Sequence, residues 1–170
     1  MADAPRVSLV ALSPPEVADF VERQIVEYAE QKTRAGHWRA EEALAHSREA
    51  MKDFLPGRPT PPGHRFFKGV DDADRHVGWV WLGPPPKELR LTNARWLFQI
   101  TVEDALRGHG YGRALLVAAE DQAAADGADA LYLNVFAWNR VAKALYDSAG
   151  YVVHYNGGTE FGMHKPLNRA

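Results

Sequence analysis

A mixed α/β fold, one sheet with helices packed on both faces, is what the order of hydrophobic periods along this chain predicts. Three observations carry that expectation. About seven β-rich runs are spread along the sequence, and four helical periods interrupt them where capping and breaking residues stand. No internal repeat, heptad array or low-complexity tract offers another architecture. With 170 residues, 46% of them hydrophobic, the chain is long enough for one full core and short for two.

Arg6 to Leu12, rich in Val and Leu, reads as the first strand. It stops at Ser13-Pro14-Pro15-Glu16, where Ser caps a helix, Pro opens it and Glu completes a capping box. Val17, Phe20, Val21, Ile25 and Tyr28 recur at helical spacing up to a stop near Gly36. A second helical period runs from Trp38 to Phe54 and closes at Pro56-Gly57. The segment Leu55 to Gly63 is a stiff loop, because each Pro fixes φ and removes a donor. Three strand-like runs follow as a meander: His64 to Val70, His76 to Leu82 and Arg95 to Val102. After a Gly-rich loop come an Ala-rich helix (Tyr111 to Asp126), a β run (Ala130 to Ala137), a helix (Asn139 to Ala149) and strands near Tyr151 to Tyr155 and Phe161 to Lys165.

Composition excludes several functions. A formal charge of −2 leaves no sequence-wide basic field for a nucleic-acid backbone or an anionic membrane. Cys is absent, which removes disulfides, thiolate metal sites and any cysteine acyl-enzyme. His37, His46, His64 and His76 are scattered without ligand spacing, so no metal is expected. Met1-Ala2-Asp3-Ala4-Pro5-Arg6 shows no basic start followed by an apolar run, and no later run reaches spanning length, so the chain reads as cytoplasmic. Monomer and homodimer both stay open.

The loop Arg107-Gly108-His109-Gly110-Tyr111-Gly112-Arg113 stands between a strand and a helix, where backbone N–H groups and the positive helix end can face one anion. A nucleotide-triphosphatase phosphate loop needs Lys and then Ser or Thr after its last Gly, and Arg113-Ala114 stand there. The dinucleotide fingerprint lacks its third glycine, because Gly108-x-Gly110 leads to Arg113. What the segment resembles is Arg-x-x-Gly-x-Gly, through Arg107, Gly110 and Gly112, the pyrophosphate loop of the GNAT superfamily of N-acetyltransferases. The family's second motif is matched by Asn139, Ala142, Leu145, Tyr146, Gly150 and Tyr151 at the same spacing. The resemblance is close from Arg95 to Tyr155, and element order extends it over nearly the whole chain.

That resemblance implies a single N-acetyltransferase domain over 1–170, with the first strand and two acceptor-side helices within 6–54 and a CoA-binding core within 64–166. It implies a mixed, mostly antiparallel sheet of about seven strands whose fourth and fifth strands splay around the pantetheine. Acetyl-CoA is then the co-substrate and an amine the acceptor. Val102 would supply backbone bonds to the thioester and the oxyanion, Arg107 to Arg113 would hold the pyrophosphate, and Asn139 the pantetheine or phosphate arm, with Ala142 beside it. Tyr146 would protonate the leaving thiolate, an unperturbed phenol of pKa about 10 suiting a thiol of about 8.5. On the residues alone, Tyr146 lies on the stripe Ala142, Leu145, Tyr146, Ala149, where a packed core aromatic is the default, and only its place in the motif overturns that.

The sequence departs from the family at the base. Trp96 to Thr101 holds no carboxylate, and the first acids are Glu103 and Asp104 just past the strand. Glu103, a water relay through Gln99 or Asn134, and bulk solvent are the alternatives. Tyr28 and Trp38 could line the acceptor pocket, although aromatics at helical spacing also read as core. Tyr28, Ala29, Lys32, Ala35, Gly36 and Trp38, then Leu55-Pro56-Gly57, Thr60-Pro61 and His64, resemble a bacterial branch of the family that implies no particular acceptor. Two further readings stay open: a CoA-binding regulatory module without turnover, and an acetyltransferase of a macromolecular amine.

Overall fold

The computed structural model describes residues 3–57 and 60–168; Met1, Ala2, Arg58, Pro59 and the last two positions of the expected 1–170 span lie outside the described residues. β1 (Val7–Ala11) leads into α1 (Pro14–Arg34), and both halves of the capping box form. Ser13 N–H donates to Glu16 at 2.8 Å, and Glu16 N–H to Ser13 Oγ at 3.4 Å. After α2 (Ala40–Phe54) come β2 (Arg65–Asp71), β3 (His76–Gly83) and β4 (Ala94–Val102), the expected antiparallel meander. Then follow α3 (Tyr111–Ala125), β5 (Ala130–Phe136), α4 (Arg140–Ser148), β6 (Val152–Asn156) and β7 (Glu160–Pro166). The sheet order is β1-β2-β3-β4-β5-β7-β6, with β4 and β5 the parallel pair. Two 3-10 turns, Lys87–Leu89 and Asp104–Leu106, occupy stretches whose sequence carries no helical period.

Strand alternation builds two cores, one on each face of the sheet. Phe67, Val80, Leu82 and Leu97 point toward α3 and α4, where they meet Leu115, Leu116, Ala119 and Tyr146. Their neighbours Phe66 and Trp81 point the other way, into Val17, Phe20 and Ile25 of α1 and Met51 of α2. Leu115 is wholly buried because Gly69 and Gly78, partners across β2 and β3, leave it room. A Cβ on Gly69 would stand 2.4 Å from a Leu115 methyl. Burial of that one side chain contributes roughly 1.5–3 kcal/mol.

The feature that positions the site lies in the middle of β4. Trp81 pairs with Gln99 and Leu82 with Leu97, so Phe98 is an extra residue with no partner, a β-bulge. The bulge puts Phe98 and Gln99 on the α1 side together and bends the strand. The β4–β5 ladder ends at the same place, at Leu97↔Leu133, although β4 runs on to Val102 and β5 to Phe136. Beyond Leu97 the two strands have separated, and a gap opens between them.

Candidate active site

α3 begins beside the end of β4. A Cβ on Gly112 would lie 3.8 Å from Val102 and 3.5 Å from Leu145 of α4, so the helix start, the strand end and α4 meet there. Gly108 (φ +77°) and Gly110 (φ +86°) take left-handed backbone, which turns the chain so that successive N–H groups face outward together. The amides of Gly108, His109, Gly110, Tyr111, Gly112 and Arg113 have no acceptor among the described residues; the first helical bond of α3 is Ala114 N–H to Gly110 O. Gly110 is the N-cap and brings no side chain to cap them. Six uncapped donors at the positive end of a 15-residue helix fit a pyrophosphate.

Side chains of the loop divide in their roles. Arg107, Gly108 and Gly112 border a cavity of about 1470 Å³ that runs through the strand gap; His109, Gly110, Tyr111 and Arg113 do not. Arg107 is held by Asp104 at 2.8 Å and reaches Val102 O at 3.3 Å. His109 is exposed, its Nδ1 3.3 Å from Leu106 O. Tyr111 turns into the protein, donating to Asp71 at 3.1 Å and accepting from Arg75 at 2.7 Å, so only its amide faces the loop. Arg113 is bonded to Ser148.

Val102 presents its backbone to the gap. The bond from Glu103 N–H to Val77 O, 2.9 Å, flanks the pair Gly78↔Val102, so Val102's own N–H and C=O point away from β3. Tyr146 borders the same cavity from α4, buried beside Tyr151 at 5.6 Å between ring centres, with no hydrogen-bond partner for its hydroxyl among the described residues. Burial pushes its pKa well above the ordinary phenol value that the sequence alone suggests, and the group stays protonated at any working pH. Asn139 caps α4, its Oδ1 accepting from Ala142 N–H at 3.2 Å. Its Nδ2 has no partner among the described residues, and Asn139 and Ala142 both line the cavity.

The opposite wall belongs to α1. Glu27 Oε2 accepts from Gln24 Nε2 and from Gln99 Nε2, each at 3.2 Å, and Gln99 also donates to Thr101 at 2.8 Å. Burial raises the Glu27 pKa, against the lowering effect of Gln24, Arg23 and Arg107, with Glu30 raising it further. Asn134 lines the cavity from β5 just past the end of its ladder with β4. Glu27 is the acid that the sequence reading missed. Its signal is the spacing Gln24 to Glu27, two polar residues three apart beside the buried Phe20 and Ile25.

Glu103 is not brought to the cavity. Its carboxylate lies 3.2 Å from His76 Nδ1 and is half exposed, because the strand ends before it and the chain turns away. Trp38 is likewise outside. It packs edge-on against Tyr28 at 5.4 Å and beside His46, so it supports the wall rather than lining it. Tyr28 lines the cavity, its pKa pushed up to about 12 by burial and by Glu160. Lys32 stands among the rings of Tyr28, Trp38 and Phe136, bonded to His37, whose Nε2 lies 2.7 Å from Thr159 Oγ1. These residues tie α1 to the β6–β7 turn. Among the described residues no group of His, Asp and Glu is placed to hold a metal, and no helix is long and apolar enough to cross a membrane.

A family model described as "Acetyltransferase (GNAT) family" matches residues 24–151. The chain is 30% identical over 146 residues to the N-acetyltransferase YycN of Bacillus subtilis (strain 168), covering 85% of this chain and 92% of that protein. It is 28% identical over 160 residues to the N-acetyltransferase YdgE of the same organism, covering 94% and 98%. The crystal structure of YycN superposes with a TM-score of 0.80 at 26% identity, covering 88% of this chain and 94% of that one. At 20% identity the PaiA N-acetyltransferase of Thermoplasma acidophilum, crystallised with coenzyme A, shares the fold with a TM-score of 0.68 and coverage of 95% and 99%.

Proposed function

This chain belongs to the acetyltransferase (GNAT) family, and on that premise we propose that it passes an acetyl group from acetyl-CoA directly to a primary amine of a small molecule or peptide. The observation that carries the proposal is the uncapped start of α3, whose Gly108 and Gly112 border the gap where β4 leaves β5. Acetyl-CoA supplies a thioester carbonyl as the electrophile. The amides and Arg107 hold its pyrophosphate, and the Nδ2 of Asn139 donates to the arm behind it. Val102 N–H donates to the carbonyl oxygen as charge builds there. The acceptor enters from the α1 side, where Glu27 attracts the ammonium and takes its proton, directly or through a water on Gln99 or Asn134. The amine nitrogen then forms the new C–N bond, the C–S bond breaks, and Tyr146 gives its hydroxyl proton to the departing sulfur. With no cysteine in the chain, a cysteine acyl-enzyme has no part in the transfer.

The test is release of CoA thiol from acetyl-CoA with polyamines, aminoglycosides, amino acids and peptides, with the acetylated product identified by mass. Turnover with at least one amine class is expected, and Tyr146→Phe should lower kcat by about 10²-fold or more while CoA binding persists. Binding of CoA with no thiol release for any amine would return the chain to a regulatory reading.

A further inference from the structure

On the α1 side the cavity is bordered by an arm of aromatic rings that no step above uses. Trp81 and Phe98 stack at 4.4 Å with 14° between their planes. Phe54 meets Phe98 edge-on at 5.7 Å, and His64 lies 5.4 Å from Phe98. All four border the cavity, with Pro61 and Pro84 beside them. We propose that the acceptor is an arylalkylamine, a flat aromatic group on a short linker to a primary amine, whose ring enters this arm while its amine reaches Glu27. The proposal rests on the N-acetyltransferase reading and names its substrate class.

Three observations carry it. Phe98 and Gln99 are consecutive residues that the bulge turns to one side, so the aromatic arm and the Gln99–Glu27 bond adjoin. Second, His64 is 7% exposed, and its Nδ1 accepts from Trp81 Nε1–H at 3.1 Å, which places the imidazole proton on Nε2. Burial lowers its pKa, so the ring is neutral. Nε2–H has no partner among the described residues and stands in a residue that borders the cavity, one donor in an apolar arm. It fits an oxygen carried on the aromatic ring. Third, the four rings bring no carboxylate. A polyamine's second ammonium would lose its water there without a counter-ion, whereas an aromatic ring finds edge and face partners. Of the cavity's carboxylates besides Glu27, Glu30, Asp53 and Glu88 stand at exposed positions, and Glu160 acts on Tyr28 rather than on these rings.

Gly83 provides the discriminating variant. A Cβ there would stand 2.6 Å from His64 Nδ1 and 2.7 Å from Phe98 Cε2, so Gly83→Ala displaces rings that border the arm. Phenethylamine, tyramine, butylamine and spermidine are compared as acceptors by thiol release, and phenethylamine is titrated by calorimetry into CoA-saturated protein. Phenethylamine and tyramine should exceed butylamine and spermidine in kcat/KM by roughly tenfold or more, the scale of a filled apolar pocket. Gly83→Ala, or Phe98→Leu should the first variant not fold, should erase that preference while the KM for acetyl-CoA holds. Equal or better use of spermidine or butylamine overturns the aromatic arm and leaves the transferase reading standing. So does failure of phenethylamine to bind the CoA-saturated protein. Absence of any acetyl-CoA binding overturns the transferase reading, and the arm's assignment falls with it.

Discussion

Glu27 takes its place from Gln24 one turn before it on α1 and from Gln99 across the cavity, both donating to Oε2. Its other oxygen remains for an incoming ammonium or water. Since burial raises its pKa, the carboxyl titrates above the ordinary carboxylate range and nearer to a working pH, which is what a base requires. The acidic limb of kcat/KM should therefore lie above that ordinary range, at one pH for acceptors of different amine pKa. In Glu27→Gln the limb should vanish and kcat/KM at neutral pH fall by about 10²-fold, with only the acceptor's own ionisation left. Glu103→Gln should leave the profile as it is, and a limb lost there instead would restore Glu103 as the base. The sign for stability is opposite. An acid with a raised folded pKa favours the folded state below its unfolded pKa and loses that contribution as pH rises, so Glu27→Gln should melt no lower than wild type at pH 8. The sequence shows no acid in the fourth strand, yet it does not show that a distant helix lays one against Gln99, because that contact spans 72 positions.

At the scale of elements, capping chemistry is the most legible part of the chain. Ser13-Pro14-Pro15-Glu16 opens α1 as its residues dictate, since each bond involved is local. Glu16 also receives Lys68 of β2 at 3.0 Å, a bond that pins the helix start to the sheet and that only the fold reveals. Ser13 N–H first, and Lys68 next, hold the Glu16 pKa down to about 2. A depressed folded pKa means that this stabilisation is present above the unfolded value near 4.5 and is lost as pH falls toward about 2. Ser13→Ala should cost about 1 kcal/mol at neutral pH, lowering Tm by roughly 2–4 °C. Urea midpoints at pH 7, 4 and 3 should show wild type losing more than Ser13→Ala, because the variant lacks the Ser13 hydroxyl that helps to hold the Glu16 pKa down. The bulge at Phe98 is the counter-example. No Gly or Pro marks it, and it follows from packing Phe98 on Trp81 and Phe54 rather than from local preference.

Across the whole molecule, element order and the Gly loop were readable because strand alternation, helix periods and left-handed glycines each leave a local trace. Which faces meet is a property of the sheet. Helical spacing favours Trp38 as core and the motif sets Tyr111 in the loop, and only the packing against Tyr28 and Asp71 shows both side chains to be support. One consequence belongs to the assembled fold alone. The parallel pair β4–β5 lacks ladder bonds beyond Leu97, and the start of α3 lacks caps, and on the proposed function one ligand, acetyl-CoA, completes both. Acetyl-CoA at about 100 times its Kd should add roughly 2.7 kcal/mol to stability, a rise of roughly 5–10 °C in Tm for a chain of this size. Hydrogen exchange gives the location. The amides of 108–113 and of Val102 should slow together on binding, while the exposed strand β6 keeps its unliganded rate. Gly112→Glu sets a carboxylate between Val102 and Leu145, where the anion belongs, so the variant should fold and show neither the Tm rise nor the protection. Protection spread evenly over the sheet, or a full Tm rise in folded Gly112→Glu, would place the CoA elsewhere and remove the basis for the gap as its site.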